Sequence, residues 1–199
     1  MATLGMTQLE AVNLLLFSTG NPRVTALDPG GTSDAAEAEY ILDLASEIVQ
    51  VRGWPENTIQ TKDYTPAATL INFTSLDATV IRVIPAGKDR GRHLGIKDDA
   101  LYDFDNDVAT FGTTDVTLTV VRELTWDNMP PTMKHLVLAR AERLYRRRKM
   151  PDAVFDGFLA EEVAEAEIQA SRHAPDLSSA SINTQPLVIN AGGRDNGQR

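Results

Sequence analysis

The residues of this chain best suited to chemistry are clustered carboxylates. Asp103, Asp105 and Asp107 alternate in the way that opens a calcium-binding loop. The match then fails, because Val108 stands where the loop needs glycine and Thr114 stands where it needs a bidentate glutamate. We therefore interpret this stretch as the polar turn of a hairpin and predict no metal there.

A second group of carboxylates crowds one helix near the C-terminal end: Glu161, Glu162, Glu165 and Glu167. Two carboxyl groups about 5 to 10 Å apart across a cleft could hydrolyse a glycoside. Acidic residues on an exposed helix more often form a solvated face. The solvated face is the favoured interpretation, and a hydrolase of cell-envelope polysaccharide stays open as the alternative function.

Other catalytic and cofactor patterns are incomplete. His93, His135 and His173 are far apart in sequence and form no HxxxH or HExxH pair, and the chain has no cysteine. The Gly-Gly-Thr stretch at 30–32 lacks the lysine of a phosphate-binding loop, so we interpret it as a link into a helix cap. The sequence predicts a protein that is not an enzyme and that holds no cofactor or metal.

The charge of the chain bears on nucleic acid. Its 199 residues carry a formal net charge of −9, which argues against a general nucleic-acid coat. Six cations nevertheless cluster near one helix end: Arg140, Arg143, Arg146, Arg147, Arg148 and Lys149. Cations at this position stabilise the negative end of the helix dipole. We favour that role, or a subunit contact with the glutamates, over contact with DNA.

Two amphipathic helices are predicted before residue 56. The first opens with Thr7 and Glu10 in a capping-box pattern and ends near Gly20. The second runs from a cap at Ser33 or Asp34 to Arg52. Its apolar positions are Ala38, Ile41, Leu42, Ala45, Ile48 and Val49, and its polar side holds Asp43, Ser46, Glu47 and Gln50.

Gly53 and Trp54 follow this helix and predict a structural latch. Glycine can adopt the left-handed conformation that closes a helix, and a hydrophobic residue after it commonly packs back onto the last turn. Pro55 then prevents the helix from continuing. We expect Trp54 to join the helical core to the region that follows.

The middle of the chain predicts strands, and helices return after it. β-branched runs occur at 69–73, 79–84 and 116–121, with a hairpin at 101–111, so we expect four to six antiparallel strands. A third helix is expected after a cap at Asp127 or Asn128, burying Met133, Leu136, Val137, Ala141 and Leu144. A fourth, from about Pro151 to Arg172, is expected to turn Val154, Phe155, Phe158, Leu159 and Val163 inward.

This order predicts an α+β fold with a discontinuous helical domain. Residues 1–56 and 125–174 would form that domain, 57–124 a β-rich insertion, and 175–199 an extended tail. The tail holds one apolar island, which we predict to bind another protein chain: Pro186, Leu187, Val188 and Ile189. No apolar run approaches the about 20 residues that span a membrane, so we expect no membrane contact.

Three stretches give the sequence a family resemblance. They are AVNLLLFSTGNPRVTALD from residue 11, SDAAEAEYILDLASEIVQVRGW from residue 33, and YDFDNDVATF with the following VTLTVVRELTWDNMPPTMKHLVLARAERLYRR. Over about residues 11 to 174 the chain resembles tail tubular protein A, the head-to-tail adaptor of podovirus-type phages. Pro55 and Glu56 depart from the family, whose members more often have an aromatic residue and asparagine there.

The resemblance implies a structural role in the virion. Members form a ring, a dodecamer in known relatives, between the portal protein of the capsid and the nozzle protein of the tail. DNA passes through the ring without specific binding. The protein would thus be made in the host cytoplasm and reside at the head–tail junction, with itself, the portal and the nozzle as partners. An acidic lumen would repel phosphates and let DNA slide.

Overall fold

Helices flank a central region of strands, so the predicted α+β class is confirmed. The computed structural model describes residues 5–27, 33–66, 71, 79–98, 100–112 and 114–173. Its helices are α1 (Gln8–Ser18), α2 (Asp34–Gln50), α3 (Pro131–Lys149) and α4 (Ala153–His173). Its strands are β1 (Thr58–Tyr64), β2 (Val80–Pro85), β3 (Leu94–Lys97), β4 (Ala100–Asp103) and β5 (Val116–Arg122).

Side-chain caps fix the beginnings of three helices. Thr7 and Glu10 form the predicted capping box, in which Glu10 N donates to Thr7 Oγ1 at 3.2 Å and Thr7 N donates to Glu10 Oε2 at 2.8 Å. Ser33 Oγ accepts from Ala36 N at 3.2 Å at the start of α2. At the start of α4, Asp152 Oδ1 accepts from Val154 N at 2.9 Å and from Phe155 N at 3.2 Å. Each cap satisfies amides that lack a partner within the helix.

The predicted cap of α3 is wrong. Asp127 and Asn128 belong to a 3-10 turn, and the helix begins at Pro131 with Pro130 in the cap position. The physical reason is the Pro-Pro pair: a proline forces the residue before it into extended backbone, and Met129 has ψ 139°. Pro131 itself suits the first helical turn, where no amide donor is needed.

The helices pack around α3 and form one hydrophobic core. α2 and α4 both contact α3, and α1 contacts α2 and α3. Residues from both sides of the β region meet in this core, including Leu15, Leu42, Leu136 and Tyr145, each at most 1% exposed. Fully burying a large apolar side chain contributes about 1.5 to 3 kcal/mol.

Two predicted helix faces need correction. Ser46 and Gln50 were expected on the polar side of α2 but are buried, because side-chain hydrogen bonds compensate for their loss of water. Val154, Phe155 and Phe158 were expected to face inward but are 73%, 41% and 64% exposed. Leu159 is buried as predicted and Val163 packs against the helical core, to which α4 also contributes Ala166 and Ala170. Small alanines allow close approach to α3, which turns the larger side chains outward.

The strands form two antiparallel sheets. β5 lies between β1 and β2, and β3 pairs with β4. Five of the seven residues of β5 are buried, as expected of a central strand. Three of them, Val116, Leu118 and Val120, share a second core with residues such as Leu101 and Ile71. Apart from Ile71, the predicted strand at 69–73 lies outside the described residues.

The predicted hairpin at 101–111 is wrong in its pairing. β4 pairs with β3, which the sequence pattern missed, and Asp103 forms only an isolated bridge with Val108. Hydrogen bonds from neighbouring groups to the Asp103 carboxylate close the loop that follows, so the chain turns there without continuing a ladder. β1 was also missed, because it is a mostly exposed edge strand with few apolar residues.

Candidate functional site

Gly53 and Trp54 follow the end of α2, and their positions are fixed by backbone conformation, packing and one hydrogen bond. Gly53 has φ +84°, and a Cβ there would lie 3.2 Å from Val121 Cγ2, so both conformation and space favour glycine. Trp54 is 6% exposed, and its Nε1 donates to Val49 O at 2.8 Å. The ring packs in the helical core, and β1 begins four residues later. The function of this pair as a latch stays a prediction.

Gln50 forms a clamp that sequence reasoning missed. Its Nε2 donates to Leu124 O at 3.1 Å and to Ser46 Oγ at 2.9 Å, and its Oε1 accepts from Leu124 N at 2.6 Å. The carboxamide thus pairs with both backbone groups of Leu124, as a strand neighbour would. Asn57 Nδ2 donates to Gln50 O at 3.0 Å, and Asn57 Oδ1 accepts from Trp54 N at 2.7 Å. These bonds join the chain entering the β region to the chain leaving it.

Asn13 makes the same kind of clamp on the segment after α1. Its Nδ2 donates to Val24 O at 3.0 Å, and its Oδ1 accepts from Val24 N at 2.8 Å. Asn13 lies in the AVN stretch and Gln50 in the QVRGW stretch that carry the family resemblance. Gln50 is the last residue of α2 with Gly53 close behind, whereas Asn13 lies in the middle of α1 and no comparable sequence signal marks it.

The cations of α3 are engaged within the chain. Arg143 Nε and Nη2 donate to the two oxygens of Asp156, each at 2.9 Å, and these bonds lower the pKa of Asp156. Lys149 Nζ lies 2.8 Å from Asp34 and also pairs with Glu37, which raises the pKa of Lys149. The end of α3 is thereby tied to the starts of α2 and α4. Pairing of these cations leaves less positive charge available to phosphates.

The acidic loop after β4 is a hydrogen-bonded structural element. Asp103 is 1% exposed and lies 2.7 Å from Arg92 Nη2. It also accepts from the amides of Asp105 and Asn106, and Arg92 first and Asn106 second lower its pKa to about 2. Asp107 Oδ1 accepts from Tyr102 Oη at 2.5 Å. Across the described part of the chain, no group of three or more His, Asp or Glu side chains is placed to hold a metal.

One glutamate of α4, Glu167, lines an open pocket with Arg52 and Arg172, and no second glutamate of α4 lines that pocket. Glu161, Glu162 and Glu165 are exposed, and Glu167 lies 3.2 Å from Arg52 and 3.9 Å from Arg140. Glu142 on α3 is a half-buried carboxyl near these glutamates. Its pKa is raised first by burial and then by the charge of Glu162. The arrangement is that of a solvated, ion-paired helix face.

A small cleft near Trp126 holds a carboxyl pair that the sequence did not suggest. It has a volume of about 210 Å³ and is lined by Asp43 and Glu123 among others. Burial, and then Glu123, raise the pKa of Asp43, and Gln8 Nε2 donates to Asp43 Oδ1 at 3.3 Å. One carboxylate oxygen of Asp43 thus already accepts a hydrogen bond from within the chain.

Large apolar side chains are exposed on three helices, and on α2 these are Tyr40 at 60% and Leu44 at 36%. On α1, Leu14 is 44% and Phe17 is 66% exposed; these two residues are the α1 face. On α4, Val154, Phe155 and Phe158 form the α4 face, at the exposures given above. Exposed apolar patches that exceed a few hundred Å² often mark sites of contact with another molecule. These faces are the strongest candidates for protein contact.

Two predicted regions lie outside the described residues. They are the glycine-rich link at 30–32 and the predicted partner-binding segment Pro186, Leu187, Val188 and Ile189. Among the helices that are described, none combines the length and apolar character needed to cross a bilayer.

Comparison with known proteins identifies one family. A family model described as tail tubular protein matches residues 9–179, most of the chain. No curated protein matches the sequence.

Proposed function

The chain belongs to the tail tubular protein family, and from this premise we propose that it is a ring-forming adaptor at the head–tail junction. Membership makes the protein a structural component of the phage tail, and hence of the virion, that contacts other tail proteins. The proposal adds a podovirus-type particle, a homo-oligomeric ring (a dodecamer, as the resemblance implies), and contact with the portal on one side and the nozzle protein on the other.

The observation that carries the proposal is the presence of two separate apolar faces. The α1 face and the α4 face expose five large side chains, whereas the charges nearest to α4 are engaged in ion pairs. A subunit of a ring needs two unlike contact surfaces, because each copy meets one neighbour on each side. A chain that acts alone on a soluble substrate has no need of either surface.

Passage of DNA fits the charge of the protein. The net charge of −9 and the internal pairing of the α3 cations support a lumen that repels phosphates. DNA would then move through the ring during ejection without being held.

The domain division is part of the proposal. Residues 1–56 and 125–174 would form the helical domain and 57–124 the β-rich insertion, which the two separate hydrophobic cores support. The segment from Pro186 to Ile189 would dock onto the portal or an adjacent subunit. Its proline and three apolar β-prone residues suit addition to the edge of a sheet in another chain.

The polysaccharide hydrolase considered as an alternative gains no support from the described residues. The glutamates of α4 are exposed or ion-paired, and they line no cleft between two carboxyls. The structural role is therefore the only function proposed.

Binding to the portal tests the proposal. Purified protein is mixed with portal rings and, separately, with nozzle protein, and each mixture is examined by size-exclusion chromatography with light scattering. We expect a stable complex with the portal whose mass corresponds to one added ring. Absence of any complex with either partner, at concentrations well above those in an infected cell, would contradict the adaptor function.

A further inference from the structure

The three-stranded sheet has two edge strands, β1 and β2. β5 pairs with both, and no strand in the described part of the chain pairs with the far side of β1, which is called the β1 edge below. Four consecutive residues of β1, at 60–63, are exposed. An open edge presents unpaired backbone N–H and C=O groups to which a strand of another chain can add.

β1 departs from regular pairing in the middle of this edge. Ile59 pairs with Val120, and the next regular pair joins Lys62 to Leu118. Between these pairs, two residues of β1 stand opposite Thr119 alone. This arrangement is a β-bulge, which bends the strand and interrupts its ladder of hydrogen bonds.

Thr61, within the bulge, has a strained backbone conformation. Its φ is +43°, in the left-handed region that β-branched residues rarely adopt. Its amide donates to the side-chain oxygen Thr119 Oγ1 at 3.4 Å. Strain of this kind persists only where the surrounding structure imposes it, and it often marks an irregularity that has a function.

β2, at the opposite side of the sheet, is also bulged. Val80 pairs with Arg122 and Arg82 pairs with Val121, so Ile81 is an extra residue with no counterpart in β5. Both extra residues of the sheet therefore lie in its outer strands, and neither lies in the central strand.

An exposed cation follows each bulge. In β1 this cation is Lys62, and in β2 it is Arg82. Arg82 Nη1 also donates to Val51 O at 3.3 Å, which ties this strand to the end of α2. β2 ends at Pro85, which has no amide hydrogen to donate. Bulges, cations and proline are features by which natural sheets prevent strand addition at their edges.

We propose that the bulge at Thr61 and the adjacent Lys62 close the β1 edge to strand addition by another copy of this chain. An added strand would have to pair with both halves of β1, and the extra residue shifts the register between them. Copies held side by side are thereby kept from pairing through this sheet, and the apolar segment 186–189 of a neighbour is kept from adding to it. The β1 edge is closed in the free chain as well as in a ring, which goes beyond the adaptor function proposed above.

Amide hydrogen exchange tests the closed edge on the natural full-length protein. A synthetic peptide with the sequence of residues 184–191, TQPLVINA, is added as the incoming strand, and exchange across β1 is followed by mass spectrometry. We expect the peptide to leave the exchange of β1 unchanged. Slower exchange of β1 with the peptide, or faster exchange after deletion of residues 180–199, would show that a strand occupies this edge and would overturn the proposal.

Removal of the bulge should open the edge. Deletion of Thr61 makes β1 match β5 residue for residue, and Lys62→Val removes the cation beside it. We expect the combined variant to show slower exchange of β1 with the peptide and more self-association than the natural protein in sedimentation. Thr61→Gly with Lys62→Val is the matched control, because glycine accepts a positive φ and keeps the bulge. Its gain in both measurements should be clearly smaller.

The variants also show how the proposal fails. Equal gains in the combined variant and in its glycine control, or no gain in a combined variant that circular dichroism shows to be folded, would overturn it. If the deletion prevents folding, Lys62→Val alone is compared with Lys88→Val, which removes an exposed cation outside the strands. A small gain is expected for Lys62→Val only, and no difference between the two would overturn the proposal. None of these measurements involves the portal, so their failure would leave the adaptor function standing.

Discussion

The side chain of Gln50 pairs with both backbone groups of Leu124, 74 residues away in sequence. Gln50 lies at the end of α2, where the chain leaves the helices, and Leu124 follows β5, where the chain returns towards them. Gln50 is fully buried. One carboxamide therefore closes the β region at its base and holds its two ends in register.

Replacement of Gln50 by leucine should destabilise the fold. The change keeps most of the side-chain volume but leaves the amide and carbonyl of Leu124 without these partners, at a cost of about 2 kcal/mol. Urea unfolding followed by circular dichroism measures the effect. Gln169→Leu on the exposed side of α4 is the matched control, with an expected change within about 0.5 kcal/mol. Equal midpoints for the two variants would show that the clamp contributes nothing.

Trp54 should contribute strongly to stability if it acts as a latch. Trp54→Ala removes a buried aromatic side chain and should cost about 3 to 5 kcal/mol. Trp54→Phe retains most of the packing but loses the hydrogen bond to Val49 O, at about 1 kcal/mol. Thermal and urea unfolding measure both. An unfolding midpoint that hardly moves in Trp54→Ala would rule out the latch.

Asp103 should make stability sensitive to acid. Its pKa lies at about 2 in the folded protein, against an ordinary 3.8, mainly because of Arg92. A carboxyl with a depressed folded pKa stabilises the fold above its unfolded pKa, and this contribution is lost as pH falls from about 4 to about 2. Unfolding midpoints across this range should fall for the natural protein and fall less steeply for Asp103→Asn. Asp127→Asn, at an exposed position, is the control, and its unfolding midpoint should change with pH as that of the natural protein does. The same pH dependence in all three proteins would contradict the contribution of Asp103.

Purified protein should not hydrolyse cell-envelope polysaccharide. The α4 glutamates form a solvated and ion-paired face, so they cannot act as a positioned acid and base. Release of reducing sugar from host envelope material is the measurement. Turnover that a single Glu161→Gln or Glu165→Gln change abolishes would restore the hydrolase as the function.

The C-terminal segment should matter for attachment and not for folding. Deletion of residues 180–199 removes Leu187, Val188 and Ile189 but none of the described cores. We expect unchanged unfolding midpoints and weaker attachment of rings to the portal. Heads filled with DNA that carry the truncated protein at undiminished occupancy would contradict docking by this segment.

The sequence predicted local features better than tertiary ones. The capping box at Thr7 and the end of α2 were predictable because each depends on neighbours within a few residues. Burial of Gln50 was not, because its compensating partner lies on a distant segment. The hairpin register failed for a related reason, since β3 is short and its partner is fixed by packing beneath Leu101. The outward turn of Phe158 could not be predicted, because helical periodicity marks an apolar face without saying whether its own chain covers it.

Electron microscopy of the purified protein bound to its portal tests the central claim most directly. Side views of portal rings with and without the added protein should differ by one extra ring, coaxial with the portal and open along its centre. Top views should show a closed ring of repeated subunits with a channel wide enough for duplex DNA. Portal particles that gain no density, or gain scattered single subunits that never close into a ring, would contradict the adaptor account.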